Sequence, residues 1–431
     1  MCTKREPRVL PRPFTFVHAA DLHIDSRFIA WAGAPDAVRS TLLESTHRAF
    51  RNLIKLCLER KANFLVVAGD VYEAADRSVR AQLRFRDGLA ELGDHGISSF
   101  VVHGNHDPLD GWANTIGFPA TTTIFGPNPS WSVASDDAGP IAQLQGMSYP
   151  TQDVTENVVS RFTMPESNGL FSIGLLHCNL GGNPSHGNYA PCSVADLERI
   201  GLDYWALGHI HRRAIVKASR PAIVYAGNTQ GRDMQETGPR GCYVVSVDGA
   251  RDINAEFVPL DTVRWEQSEV RLDSARTMDD VLLAIDQKIS ELRAGSNGRP
   301  VVCRLGLTGR GPVHDELARD GAVDDLLAHL RDGFVPDSHW VWIDGLEDKT
   351  RPVIDIEARS HELDFLGLLL SRAQSTLEGR PGITEMSRDV NAALKTSRDR
   401  DGLSQIGETE ARQLLDEARW LLAERLEGPS R

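Results

Sequence analysis

No stretch of this chain stays apolar for the roughly 20 residues that a helix needs to cross a bilayer, so no membrane span is expected. Cysteine is sparse. Cys2, Cys57, Cys178, Cys192, Cys242 and Cys303 are scattered and include no C-x-x-C pair. That argues against a disulfide scaffold or a zinc knuckle and predicts reduced thiols in a cytoplasmic protein. Positive charge is short as well: 47 Lys and Arg stand against 60 Asp and Glu, a net −13 over 431 residues. Clustered cations are what let an isolated protein grip duplex phosphates, and this balance argues against such a grip. It does not exclude a nuclease, because metal ions can supply local positive charge and a partner can hold the nucleic acid. The basic start, Met1 to Arg8, leads through Arg12-Pro13 into a strand-like run with no apolar signal core between, so no secretion signal is expected. Repeats and low-complexity tracts are absent.

What is present is an ordinary globular composition on a chain long enough for two or three domains. Over residues 1–260, short apolar runs alternate with helical stretches. Phe14 to Ala20, Phe64 to Ala68 and Ile97 to Val102 are strand-like and end in polar clusters. Helical segments carrying Leu53, Ile54 and Cys57, and then Arg77 to Leu92, lie between them, which is a βαβ signature. Later runs near 171–176, 204–207, 222–226, 242–247 and 253–258 crowd together and read as more β-rich. Residues 261–360 predict a small α/β second domain: strand 263–272, helix 278–292, strand 301–307, helix 315–330 and strand 340–343. Residues 361–431 read as a helical region, with helices 363–377 and 411–426 around a charged linker, 378–404. The last helix carries Ala411, Leu414, Leu415, Ala418, Leu421 and Leu422 on one stripe, which either packs on its own domain or docks a partner.

The chemistry sits at the strand ends, where open α/β sheets gather functional groups. In order come Asp21-Leu-His23, Gly69-Asp70, Gly104-Asn-His-Asp107, His177 and Gly208-His-Ile-His211. Carboxylates, imidazoles and one amide make a mixed N/O donor set suited to Mn, Fe or Zn rather than to Ca or a thiolate-bound metal. Two such ions about 3.5–4 Å apart bind a phosphate, activate a water and stabilise both the attacking and the leaving oxygen. A shared site needs a bridging carboxylate, and Asp70 is the candidate. A lone D-x-H means little, since Asp337-Ser-His339 has the same spacing and no neighbouring cluster. G-N-H-D closing an apolar strand is far more specific, and all five clusters in order leave coincidence little room.

That order resembles the calcineurin-like metallophosphoesterases. The flanks Phe16-Val-His-Ala-Ala-Asp-Leu-His, the Arg-Ser-x-Arg-Ala-Gln run at 77–82, Asp203-Tyr-Trp-Ala-Leu-Gly-His-Ile-His, Gly227-Asn-Thr-Gln-Gly-Arg and Glu236-Thr-Gly-Pro-Arg-Gly-Cys-Tyr are similar to SbcD-type DNA repair exonuclease subunits, in particular a YhaO-like branch. The resemblance covers residues 14–260, and the second domain only in outline. It implies a four-layer αββα sandwich with a small α/β capping domain and a helical C-terminal tail. It also implies two divalent ions, Mn²⁺ first, with Fe, Zn or Mg as alternatives. Asp21, His23 and His211 would hold one ion with Asp70; Asn105, His177 and His209 would hold the other with Asp70. His106 would be the general acid and Asp107 would orient it. His209 and His211 would point the same way from an extended segment. The implied partners are DNA, an SMC-like (SbcC-type) coiled-coil ATPase and a second copy of the chain.

Several residues stand apart from that pattern. Where related archaeal and eukaryotic nucleases carry a histidine tied to exonuclease action, this chain has Glu73. Glu73 is expected to face solvent or to place a water near substrate. His18, inside the first strand, reads as a hydrogen-bonded structural residue. His103 and His186 are candidates for lining the substrate cleft, His186 from a Gly-rich loop. Two alternatives remain beside a DNA nuclease: a phosphodiesterase or phosphatase for nucleotides and other small phosphodiesters, and a non-catalytic binding scaffold on the same fold.

Overall fold

The computed structural model describes residues 12–26, 33–73, 78–111, 116–166, 168–182, 187–396 and 406–427. The chain divides into two compact units, Met1–Glu266 with Arg293–Cys303 and Val335–Trp342, and Gln267–Leu292 with Arg304–Phe334 and Ile343–Arg431.

The first unit opens with β1 (Phe14–Ala19), α1 (Asp36–Glu59), β2 (Phe64–Ala68), α2 (Val79–Asp94) and β3 (Ser98–Val102). Next come β4 (Thr122–Ile124), β5 (Ser130–Asp136), β6 (Gly139–Gly146), β7 (Phe171–His177), α3 (Val194–Ile200) and β8 (Tyr204–Gly208). Then β9 (Ala214–Lys217), β10 (Ala222–Tyr225), β11 (Gly241–Val247) and β12 (Ile253–Pro259) complete it. One six-stranded sheet has the order β12-β11-β1-β2-β3-β4, and another the order β5-β6-β7-β8-β10-β9. β1 to β4 pair in parallel, as do β6, β7, β8 and β10, while β11, β12, β5 and β9 join through antiparallel pairs.

β2 is apolar and buried at every position because strands flank it on both sides and other layers cover both faces. Between the sheets lies an aromatic-rich core that includes Phe14, Phe16, Phe64, Phe100 and Tyr204. On the outer face of the first sheet, α1 presents Phe50, Leu53, Ile54 and Cys57 at helical spacing, and α2 adds Phe85 and Leu89. The Ser78 hydroxyl caps α2 by accepting from the Ala81 amide at 3.1 Å. Leu197 of α3 and Val158 pack with Trp205 on the outer face of the second sheet. These layers make the αββα sandwich. Across it, the His18 ring in β1 meets the Tyr204 hydroxyl in β8 at 3.0 Å, so His18 is the structural residue expected.

β4, β5 and β6 fall where the residue pattern suggests no strand. β6 hides because Gln143 and Gln145 are buried in it, satisfied by Asn168 and Thr163 through their side-chain amides. β5 is an edge strand with a single buried residue, Ala134.

The second unit is built on the three-stranded sheet β13 (Arg264–Arg271), β14 (Val301–Arg310) and β15 (Val341–Arg351), whose first residues fall in the other unit. Helices α4 (Met278–Gly295), α5 (His314–Leu317), α6 (Ala322–Asp332) and α7 (Ile356–Ser360) accompany it. The expected single helix over 315–330 is broken between α5 and α6, where Gly321 adopts φ 81°. Then follow α8 (Phe365–Glu378), α9 (Arg380–Thr396) and α10 (Glu408–Glu427). Residues 380–396 of the expected linker are therefore helical, and Pro381 in the first turn suits a helix start. Ala411, Trp420 and Ala423 of α10 are buried against α8 and α9, whereas Leu414 and Leu421 of the expected stripe are about half exposed. Trp420 is buried on the inward side of α10, with the guanidiniums of Arg310 and Arg351 over its ring at 4.5 and 4.7 Å from the centroid.

The five described cysteines are free and buried, as reduced thiols require, and Cys2 lies outside the described residues. No helix among the described residues is long and apolar enough to cross a membrane.

Candidate metal centre

The site forms where the carboxyl ends of β1, β2, β3, β7 and β8 converge from both sheets. Two parallel backbone bonds couple the first two loops: Asp21 N–H donates to Gly69 O at 3.0 Å and His23 N–H to Asp70 O at 3.1 Å. Side chains then tie in the others. His209 N–H donates to Asp21 Oδ1 at 3.0 Å, and His106 N–H to Asp70 Oδ1 at 2.9 Å. His177, at the end of β7, donates from Nδ1 to Ala68 O at 3.0 Å, which joins the two sheets. Asp21, His23, Asp70 and His209 all have positive φ, between 43° and 94°. L-residues rarely adopt that backbone, and its accumulation at one place marks strain held by the surrounding structure. Space is equally tight: a Cβ on Gly208 would sit 1.9 Å from Ala68 O.

Two donor groups result. Asp21, His23, Asp70 and His211 bring ligand atoms within 4.8 Å of one another. Beside them His177 Nε2 lies 3.0 Å from Asn105 Oδ1 and 3.2 Å from Asp70 Oδ2, with the His209 ring centroid 5.2 Å from that of His177. Asp70 belongs to both groups, as a bridging carboxylate must. All seven candidate ligands therefore gather, but not all as expected. His209 sits at φ 94° rather than in an extended segment, so His209 and His211 diverge, one toward His177 and the other toward His23.

The donor chemistry fits metal ions. His211 turns Nδ1 to Glu236 Oε1 at 2.5 Å, and His23 Nδ1 lies 2.8 Å from Glu73 Oε1, off the line of a straight hydrogen bond. A carboxylate thus lies beside Nδ1 of each ring, and the two Nε2 atoms face each other at 3.2 Å. Converging ring nitrogens with carboxylates behind them are an arrangement that suits metal-binding histidines. Buried Asp21 Oδ2, moreover, has no hydrogen-bond partner. Burial pushes the Asp21 carboxyl up. Burial would do the same to Asp70, but His177, His106 and His23 hold it well below the carboxylate range. Burial opposes charge on His177, yet Asp70 and Asp21 raise it to about 9. Protons thus occupy, without metal, a place that a cation would take.

The surroundings of His106 differ from expectation. Asp107 does not touch the His106 ring. Its carboxylate accepts from Val71 N–H at 2.8 Å and Gly104 N–H at 2.7 Å and meets His103 Nδ1 at 2.9 Å, so it braces the loop from inside. His103 is buried in that brace and does not line a cleft. The ring of His106 instead meets Glu73 Oε2 through Nδ1 at 2.7 Å. Glu73 is correspondingly not a solvent-facing residue: its side chain is 15% exposed, and Arg232 Nη1 reaches Oε1 at 2.8 Å. Short reach decides this, because Glu73 follows Asp70 by three residues and is carried into the same loop. Burial opposes charge on His106, but Glu73 and Asp70 raise it to about 9.

Residue patterns alone did not flag Arg232 and Glu236 as site residues. Their signal was present in the Gly227-Asn-Thr-Gln-Gly-Arg and Glu236-Thr-Gly-Pro-Arg stretches. Asn228 Nδ2 donates to Glu236 Oε2 at 2.7 Å, and Arg240 Nη1 to Asn228 Oδ1 at 3.0 Å, a chain that backs His211. His186, expected near substrate, lies outside the described residues.

The calcineurin-like phosphoesterase family matches over residues 14–213, and the middle domain of the metallophosphoesterase YhaO over residues 265–351. The chain is 36% identical over 337 residues to the uncharacterized metallophosphoesterase YhaO of Bacillus subtilis (strain 168), covering 78% of this chain and 82% of that protein. The chain is a calcineurin-like metallophosphoesterase. More distant relatives are also similar to it. The DNA double-strand break repair protein Mre11 of Methanococcus maripaludis is 26% identical, over 56% of this chain and 65% of its own length. A subunit of the nuclease SbcCD of Bacillus subtilis is 23% identical, over 52% and 63%. Calcineurin-like phosphoesterases bind a dinuclear metal site and are metal-dependent phosphoester hydrolases; the cluster Asp21, His23, Asp70 and His211, with His177 and Asn105 beside it, is where this metallophosphoesterase has its candidate ligands.

Proposed function

We propose that the chain is a phosphodiesterase acting on DNA, the nuclease subunit of an SbcCD-like repair complex working with two Mn²⁺ ions. The observation that carries this reading is a pair of donor groups sharing Asp70, beside His106, whose side chain is 41% exposed while its Nδ1 meets Glu73. DNA as substrate is supported by the names of the Mre11 and SbcCD relatives. Asp21, His23, Asp70 and His211 would hold one ion; Asn105, His177, His209 and the shared Asp70 the other. Such ions supply Lewis-acid chemistry, polarising the phosphoryl oxygens and neutralising charge that develops on them. The protein's own part centres on His106. As the P–O bond to the leaving group breaks and water's oxygen bonds to phosphorus, His106 Nε2 gives a proton to the leaving oxygen. The water's proton passes to solvent, from which His106 is recharged, so the net reaction adds one water across one ester bond.

A partner is supported by the tail. Leu363 and Phe365, beside the start of α8, are 95% and 72% exposed, and Leu368, Leu414 and Leu421 also face outward. Patches of that kind mark interaction sites, and a coiled-coil ATPase, or a second copy of the chain, would cover apolar side chains there. With a net charge of −13 the chain depends on that partner to hold DNA.

Linear DNA incubated with Mn²⁺, with and without copurified ATPase, tests this reading; no cleavage under either condition rejects it. The same charge balance favours a second reading, a phosphodiesterase for nucleotides or other small phosphodiesters in the cytoplasm. Turnover of bis-p-nitrophenyl phosphate with none of DNA would select it.

A further inference from the structure

The geometry points to Glu73 as the positioning residue of this site, one carboxylate that fixes both the proton donor His106 and the candidate metal ligand His23. This rests on reading His106 as the donor to the leaving oxygen. Glu73 divides its oxygens between the two rings: Oε2 lies 2.7 Å from His106 Nδ1, and Oε1 lies 2.8 Å from His23 Nδ1. The rings stand at 82° with centroids 5.0 Å apart, so a single carboxylate fits into the angle between their Nδ1 edges. Arg232 secures it from the far side, Nη1 being 2.8 Å from Oε1 and 3.4 Å from Ser26 Oγ. Arg232 Nε also lies 3.9 Å from Glu236 Oε2, the carboxylate that orients His211. Among the described residues Glu73 is the carboxylate on the His106 ring, and without it nothing else holds the Nδ1 edge.

The consequence is specific. A carboxylate on Nδ1 sets the ring's rotation and presents the Nε2 edge outward, so Glu73 acts on the step in which the leaving group takes its proton. Its loss should show in proportion to how badly the leaving group needs that proton. Metal occupancy should survive, because His23 keeps its own Nε2 lone pair and Asp21, Asp70 and His211 are untouched.

The test compares thymidine 5′-aryl phosphates whose leaving phenols run from p-nitrophenol to phenol, hydrolysed at saturating Mn²⁺ by the full chain and its Glu73→Gln and His106→Asn variants. Glu73→Gln keeps the side-chain volume. Its kcat is expected to fall about 10- to 100-fold on the phenyl ester, less than about 3-fold on the p-nitrophenyl ester, and KM to stay within about 2-fold, since a general acid contributes on the order of 10²- to 10⁴-fold. Arg232→Lys should retain more of the phenyl-ester rate than Arg232→Met. Two readouts are independent of turnover. Bound Mn²⁺ should stay at the wild-type stoichiometry, and in the chain loaded with diamagnetic Zn²⁺ the downfield Nδ1 proton resonance of His106, identified by its loss in His106→Asn, should vanish in Glu73→Gln. Equal losses on both esters, lost Mn²⁺, or an unchanged resonance would overturn the assignment. If His106→Asn itself shows no leaving-group dependence, the proton-donor reading fails. If His106→Asn shows it and Glu73→Gln does not, the Glu73 proposal fails alone.

Discussion

His106 and Asp107 are adjacent yet do different work. His106 presents its ring to the opening, whereas Asp107 is fully buried and holds two backbone amides and the His103 ring. His106→Ala should therefore cut the rate of phosphodiester hydrolysis by about 10²- to 10⁴-fold with metal binding intact. Asp107→Ala should act differently, leaving two buried N–H groups unpaired, at a cost of about 2–5 kcal/mol. It is expected to lower the denaturation midpoint and to release metal, because the same loop carries Asn105. Denaturant titration with metal analysis of both variants separates the two roles. Metal lost from His106→Ala would contradict the assignment.

At the scale of elements, the sandwich stands on contacts between sheets, and His18 is the polar one with a pH consequence. Burial pushes its imidazole down to about 3, from an ordinary value of 6.5. Above pH 6.5 the ring is neutral in both the folded and unfolded chains and adds no pH dependence. Between pH 6.5 and 3 the unfolded chain takes up a proton that the folded one refuses, so stability falls as pH falls, by up to about 1.4 kcal/mol per pH unit from this group. Unfolding free energies measured at pH 7 and 5 should drop less in His18→Gln than in the parent chain. Nearby, Phe16 stacks on Phe64 at 5.1 Å and meets Tyr204 edge-on at 5.3 Å. Phe16→Ala should destabilise the sandwich by about 3–5 kcal/mol, seen as a lower midpoint in urea.

For the whole molecule the controlling quantity is charge. A net of −13 works against a grip on phosphates, so DNA affinity by this chain alone should lie at the weak end of non-specific binding, near 10⁻⁴ M at physiological salt. Fluorescence anisotropy with a labelled duplex measures it. Affinity near 10⁻⁶ M without a partner would show that the chain carries its own grip.

Much of this was legible in the residues. The seven candidate ligands and the alternation of strand and helix could be read because each cluster closes an apolar run, and that pattern is local. The four layers of the sandwich were implied by the family resemblance those clusters carry. Strands β5 and β6 were not legible, because an edge strand needs little apolar character and buried Gln143 and Gln145 look like loop residues until their partners are known. The α9 helix was read as linker, since charged and Pro/Gly-containing sequence does not show which neighbours will bury Ile383. The sequence by itself determined the kind of chemistry, through residue types and their order along the chain. Only the tertiary structure decided which carboxylate serves which ring. Asp107 is next to His106 in sequence but turns inward, and Glu73, 33 residues away, reaches its Nδ1. A hydrogen bond depends on where two loops from neighbouring strands bring their side chains, and separation along the chain does not contain that information.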